Sequence, residues 1–382
     1  MIRKRTIVHR SIEMGKNSHK RNSNVELLRL LSMGMIIFYH LVSYNPSIED
    51  GSYNRIDELI IHSPYISMCG EIGNVLFFSI SIWYLSESRK TLLKSLKSVW
   101  VFDRQVIFYS TLLYIVYYMV SKQLNIEELL CSFIPLLNGT WWFITAYAIL
   151  YLLMPFVSVG LKALTDKEHK QLCVLAITLY SIFAFIFPGI EIPKSGQDLS
   201  ILLTLAIVIT YIRFRVDREK LIHQRKRLAI TIFSGIITST ILKIVSMCYI
   251  PILSAVANRF IDDLWVFSNI LILSVAVPIF LLVISLPEQN SRLIDYLAGS
   301  TLAAYLITEY PFIRSLLWKE IFTFSHITWR GQVIVPALLC SVCVPFGAIL
   351  IDQLRRALFA LTIDKHPGKI FNSIELTFAK KL

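Results

Sequence analysis

Apolar residues along this 382-residue chain run in long blocks, not in the three-and-four or alternating spacing of soluble cores. A helix of about 20 mostly apolar residues crosses a bilayer, with a working range of roughly 17–25. Ten blocks meet or approach that length: 25–44, 65–85, 99–120, 141–159, 172–187, 199–212, 228–249, 264–286, 294–318 and 333–350. The fifth and sixth are the shortest. Tyr44, Tyr65, Trp141, Tyr249, Trp265 and Trp318 stand at or near block ends, where interfacial aromatic belts form. The pattern predicts an all-α integral membrane protein, a bundle of about ten transmembrane helices over 25–350. A basic tail (1–24) precedes it and a second tail (351–382) follows.

Charge tests the count. The formal net charge is +12, from 38 basic and 26 acidic residues. In a soluble protein that excess suggests nucleic acid or acidic partners. With the N-terminus placed inside, 28 of the 38 basic residues fall on inner segments, 6 on outer loops and the rest within blocks. This is the positive-inside bias, so ten spans and two cytoplasmic termini support each other, and no nucleic-acid partner is expected. Adding or removing one span would scramble the bias. The first 24 residues carry seven basic residues and no apolar core region, unlike a cleavable signal peptide. The first span then serves as a start-transfer anchor in the cytoplasmic (inner) cell membrane.

Ionisable groups inside spans are costly, about 2.5–3.5 kcal/mol at the centre, and mark where chemistry is to be sought. The first span holds Glu26, Arg29 and His40. Arg29 and His40 are 11 residues apart, about 20° beyond three full turns, so they share a helix face about 16 Å apart along the axis. Glu26 stands one turn before Arg29 and is placed to pair with it. A snorkelling arginine and a satisfied buried histidine are the plain alternatives. Arg104 lies beside Asp103 near the start of the third span. The preceding inner loop offers Arg89, Lys90, Lys94 and Lys97, each also explained as ordinary positive-inside charge. Trp142, Tyr147 and Tyr151 put an aromatic stripe on the fourth span, read as packing or as a sugar-stacking platform. Glu309 is an intramembrane carboxylate, with Lys243 and Arg314 as available partners. Cys340 and Cys343 form a C-x-x-C in mid-span with no second pair, so no metal site is expected.

Several segments resemble the acyltransferase family 3 membrane proteins. The first span, NVELLRLLSMGMIIFYHLVSY, is similar to the family's first span, which has Arg and His separated by ten residues. The second matches a Gly-x-x-x-Phe-Phe-x-x-Ser pattern at Gly73, Phe77, Phe78 and Ser81, with Ile82 where the family has Gly. The fourth matches at Trp142, Phe143, Tyr147, Tyr151, Leu152 and Pro155. Thr308, before Glu309, stands where many relatives have His, and Asp352 and Arg355 match a common closing pattern.

The resemblance implies transfer of an acyl group, usually acetyl, from cytoplasmic acyl-CoA to a hydroxyl of a glycan or lipid-linked sugar. In that scheme His40 is the general base, or is itself transiently acylated. Arg29, held by Glu26, binds donor phosphate with Arg104, Arg89 and Lys90. Trp142, Tyr147, Tyr151 and Glu309 meet the acceptor. The expected partners are the bilayer, the glycan, acyl-CoA as co-substrate with no tightly bound cofactor, and polysaccharide-assembly proteins. The competing class is a transporter or flippase for a lipid-linked sugar or small solute. Against it stands the lack of visible inverted halves and of paired broken spans.

Overall fold

Where no water reaches the backbone, its N–H and C=O groups must bond within the segment, and the apolar blocks accordingly fold as helices. The computed structural model describes residues 22–49, 56–57, 60, 63–87, 91–183, 199–247, 250–262, 269–323, 332–365 and 373, and no strand occurs among them. The main helices are α1 (Ser23–Tyr44), α2 (Pro64–Leu85), α3 (Leu92–Ser121), α4 (Trp142–Ala163), α5 (Asp166–Ile177), α6 (Leu199–Arg215), α7 (Arg225–Ser246), α8 (Ile270–Ser285), α9 (Thr301–Thr308) and α10 (Ile334–Leu361). Among the described residues six helices are long and apolar enough to cross a membrane: α1, most of α2, α3, α4, α7 and α10. The chain is thus an all-α protein with multiple candidate membrane crossings.

Two expected spans differ in form. Block 172–187 begins inside α5 and continues as a π turn over Thr178–Phe183. The eighth block is helical over the 16 residues of α8, and its first five positions lie outside the described residues. The ninth is not one helix. A seven-residue helix, Arg292–Ala298, stops at Gly299-Ser300 and α9 follows; the chain then opens at Glu309-Tyr310 before resuming over Pro311–Ser315. The second break has a local cause. Pro311 cannot donate a backbone N–H and pushes the residue before it out of helical geometry, and Tyr310 is extended at φ −64°, ψ 126°. At the other extreme, α10 runs unbroken through position 351, so the expected edge of the C-terminal tail falls within a helix. At 30 and 28 residues, α3 and α10 measure about 45 and 42 Å, longer than a hydrocarbon core of about 30 Å.

Helices α1 and α2 meet through small residues. A Cβ at Gly73 would lie 2.7 Å from the Ser32 carbonyl oxygen and 2.8 Å from Ile36, and one at Gly70 would lie 2.6 Å from the Tyr39 ring. The missing side chains let the two backbones approach closely, as small residues do in membrane bundles. Ile82, in place of the family's glycine, is fully buried, so that contact is filled by a side chain instead.

The connections gather at two ends. At one, the Ser23 hydroxyl donates to Asp295 (2.8 Å) and accepts from the Ser291 N–H (2.6 Å), and the Asn24 amide donates to the Pro287 carbonyl (2.8 Å). Lys162 donates to the Ser86 carbonyl (3.2 Å), Arg215 to the Leu164 carbonyl, Arg225 to the Ser285 hydroxyl (2.9 Å) and carbonyl, and Arg356 to the Tyr296 carbonyl (3.0 Å). These arginines and lysine satisfy carbonyls that helix ends leave free. At the other end, Asn45 donates to the Phe322 carbonyl (2.8 Å). The Asp57 carboxylate there accepts from the Val333 and Ile334 N–H groups and caps α10. Negative charge at a helix N-terminus is favourable. Asp57→Ala is expected to cost about 1–2 kcal/mol of stability, read as a lower melting temperature in detergent. An unchanged melting temperature would contradict the capping role.

Candidate active site

The break after α9 delivers a carboxylate to α1. Glu309, 6% exposed, sits at the C-cap of α9, and its Oε1 lies 2.7 Å from Nδ1 of His40. The two atoms meet off hydrogen-bond alignment, and neither has a hydrogen-bond partner among the described residues. The pair is within hydrogen-bond reach by distance but not by alignment. The other carboxylate oxygen, Oε2, lies 3.5 Å from Nη1 of Arg314. The Arg314 guanidinium in turn lies 4.4 Å from the centre of the Tyr44 ring. Tyr39 and Tyr44 flank the imidazole, with ring centres 5.6 and 6.1 Å from it. Of the two cations available to Glu309, the fold supplies Arg314. Thr308, buried, donates to the Ala304 carbonyl (2.9 Å) and stays within its own helix.

One carboxylate oxygen toward an imidazole and the other toward a guanidinium is a definite chemical arrangement. A carboxylate beside Nδ1, once aligned with it, would hold the tautomer that leaves Nε2 able to take a proton. Arg314 sets a positive charge 3.5 Å from that carboxylate. The pair is within reach of acid–base work on a hydroxyl.

Toward the opposite end of α1, Arg29 Nη1 lies 2.5 Å from Glu26 Oε2, with Glu26 nearly fully buried. Tyr147 lies within electrostatic range of Arg29 and reaches the Ser81 side chain. Its ring is 5.3 Å from Phe102 and 6.1 Å from Tyr151. The stripe on α4 thus faces the Arg29 half of the interior. Trp142 stays apart, edge-on to Phe143 at 5.7 Å. Phe143 packs on Phe78 (4.5 Å) and Tyr305 (5.3 Å), so the Phe-Phe of α2 and the Trp-Phe of α4 form one aromatic block beneath α9.

Arg104 bonds Asp364 (3.0 Å) and the Ile363 carbonyl (3.4 Å), just beyond the end of α10. Beside it, Asp352, fully buried, accepts from Tyr109 (2.8 Å) and takes both Nε and Nη2 of Arg355 (2.6 and 3.1 Å). Arg89 and Lys90 lie outside the described residues. A cavity of about 530 Å³ opens at this end between Val25, Trp83, Glu87, Arg213, Arg218 and Glu288. The Arg213 guanidinium sits 4.2 Å from the Trp83 ring centre and pairs with Glu87. Sequence reasoning missed Arg213 and Arg218 because a loop rich in positive-inside charge hides any single cation in it. No group of three metal-ligating side chains occurs among the described residues.

An all-α membrane body with buried ionisable groups facing one another defines the class: a polytopic membrane protein with a polar interior. The particular kind follows from comparison. The family model described as an acyltransferase domain, acyltransferase family 3, matches residues 22–351, and the chain belongs to that family. It is a membrane acyltransferase in the general sense. No curated protein and no solved structure matches the chain.

Proposed function

We propose that this protein is an O-acyltransferase of the cytoplasmic (inner) cell membrane that moves an acyl group, acetyl above all, from cytoplasmic acyl-CoA to a hydroxyl of a cell-surface or lipid-linked glycan. The observation that carries the reading is the contact of His40 with Glu309, buried in the bundle and on the same helix face as Arg29. In the proposed reaction Nε2 of His40 takes the proton of the acceptor hydroxyl. The oxygen bonds to the thioester carbonyl carbon and the carbon–sulfur bond breaks. CoA leaves as the thiolate and takes the proton back from His40. Glu309 positions the imidazole throughout.

Arg29, steadied by Glu26, neutralises donor phosphate, aided by cations of the basic end, among them Arg104, Arg89 and Lys90. The basic end is then the cytoplasmic face, with both termini on it and ten crossings between. The shared location of the connections near Ser23, Ser86, Leu164, Ser285 and Tyr296 supports this parity. An extended pantetheine arm matches the axial rise of about 16 Å between Arg29 and His40.

The test is acyl transfer from labelled acetyl-CoA by purified protein in detergent, where no gradient exists. Turnover supports the enzyme. Gradient-dependent solute flux in vesicles, with no turnover of acyl-CoA, would instead make the chain a transporter. Arg29→Ala is expected to raise the KM for acetyl-CoA by roughly 10–100-fold, the worth of a charged hydrogen bond. An unchanged KM would remove Arg29 from the donor site.

A further inference from the structure

A second cavity, about 360 Å³, lies at the end of the bundle away from the basic face, beside the break that carries Glu309. Its walls come from three places: Ser110 and Tyr117 on α3, Glu128 and Asn138 from the segment joining α3 to α4, and Tyr310 and Phe312 on either side of Pro311. Tyr310 directly follows Glu309 in the chain and stacks on buried Trp141 at 5.9 Å between ring centres. Tyr117 meets Phe312 edge-on at 5.3 Å. The joining segment is held in shape. Asn138 donates to the Cys131 carbonyl (2.8 Å) and its Oδ1 accepts from the Thr140 N–H (2.9 Å) and hydroxyl (2.7 Å). Tyr114 closes the same segment by donating to the Asn125 carbonyl (2.6 Å).

The chemistry of this lining is selective. Hydroxyl, amide and phenol groups suit a ligand rich in hydroxyls, and tyrosine and phenylalanine faces suit the C–H face of a sugar ring. No lysine or arginine is among its described lining residues. Glu128 is exposed to solvent, lines the cavity and forms no ion pair among the described residues. A carboxylate at the wall of an open cavity accepts hydrogen bonds from hydroxyls and repels a second carboxylate or a phosphate, most strongly at low ionic strength. The residues expected to meet the acceptor on α4, Trp142, Tyr147 and Tyr151, do not line it.

We infer that this cavity is the acceptor subsite and that it takes uncharged sugar rings, excluding uronate and phosphate-bearing ones through Glu128. The inference rests on the acyl-transfer reading and adds to it where the acceptor sits and what charge it bears.

The experiment uses the full-length protein in lipid nanodiscs with labelled acetyl-CoA and three sets of trisaccharides: neutral hexoses, N-acetylhexosamines and hexuronates. Transfer to at least one neutral set is expected, at a rate at least about tenfold above the uronates. Glu128→Lys is expected to narrow or invert that ratio. Thr140→Lys, which sets a cation in the same lining, is expected to act likewise should the first variant fold poorly. Equal or faster transfer to uronates would overturn the inference, as would an unmoved ratio in both variants. So would no transfer to any trimer while acetyl-CoA is still slowly hydrolysed. If wild-type protein neither hydrolyses acetyl-CoA nor transfers from it, the acyl-transfer reading itself has failed.

Discussion

His40→Ala, in protein shown to be inserted and folded, should lower acyl transfer by about 10²–10⁴-fold, the usual worth of a positioned general base. The proposed reaction asks for a base placed like this one, with one ring nitrogen 2.7 Å from a buried carboxylate. In the proposed reaction Glu309 touches His40 and not the reacting atoms, so its variants should separate from a loss of donor binding. Glu309→Gln removes the charge that steadies the imidazolium. It is expected to lower kcat by more than tenfold while the KM for acetyl-CoA stays within about twofold. Glu309→Asp, which keeps the charge on a shorter arm, should recover part of the loss. Full activity in His40→Ala would remove the histidine from the chemistry. A Glu309→Gln variant with raised KM and normal kcat would move the carboxylate to the donor site.

The largest effect on stability is expected at Asp352→Ala. The carboxylate is fully buried, grips Arg355 with both oxygens and accepts from Tyr109 across the interface of α3 with α10. Its removal leaves the Arg355 guanidinium, whose side chain is 10% exposed, without a counter-charge. Breaking one side of such a pair costs about 3–5 kcal/mol, more than deleting both. The double variant Asp352→Ala/Arg355→Met should therefore melt higher than Asp352→Ala alone in detergent. A double variant less stable than the single one would mean that Arg355 is satisfied elsewhere.

Much of the fold was legible because length and apolarity are local properties. The block 25–44 became Ser23–Tyr44 and the block 65–85 became Pro64–Leu85. The ninth span was misread as continuous because hydropathy is blind to hydrogen-bond geometry. Its sequence nonetheless carries the breakers, Gly299-Ser300 and Tyr310-Pro311. Of the site, one helix face was legible: Arg29 and His40 follow from 3.6-residue periodicity alone. That Glu309 meets His40 was not, because nothing in one sequence states which distant helices touch. The aromatic stripe of α4 shows the same limit. Its rings share a face by spacing, yet only the packing of α4 on α3 and α2 turns Tyr147 toward Phe102 and Ser81.

The clasp at Ser23 has a consequence for biosynthesis. Ser23 stands at the root of the helix that carries both Arg29 and His40, and the Ser291 N–H that donates to its hydroxyl is 268 residues further along the chain. At translation rates of about 5–20 residues per second, roughly 13–55 seconds separate the emergence of the two. For that interval α1 is held by its close neighbour α2 but lacks its anchor and its carboxylate. A ribosome-stalled chain ending before Glu309 should therefore hold an inserted α1 whose histidine has no acidic neighbour. The His40–Glu309 contact is completed late in synthesis, after most of the bundle around it has already been threaded.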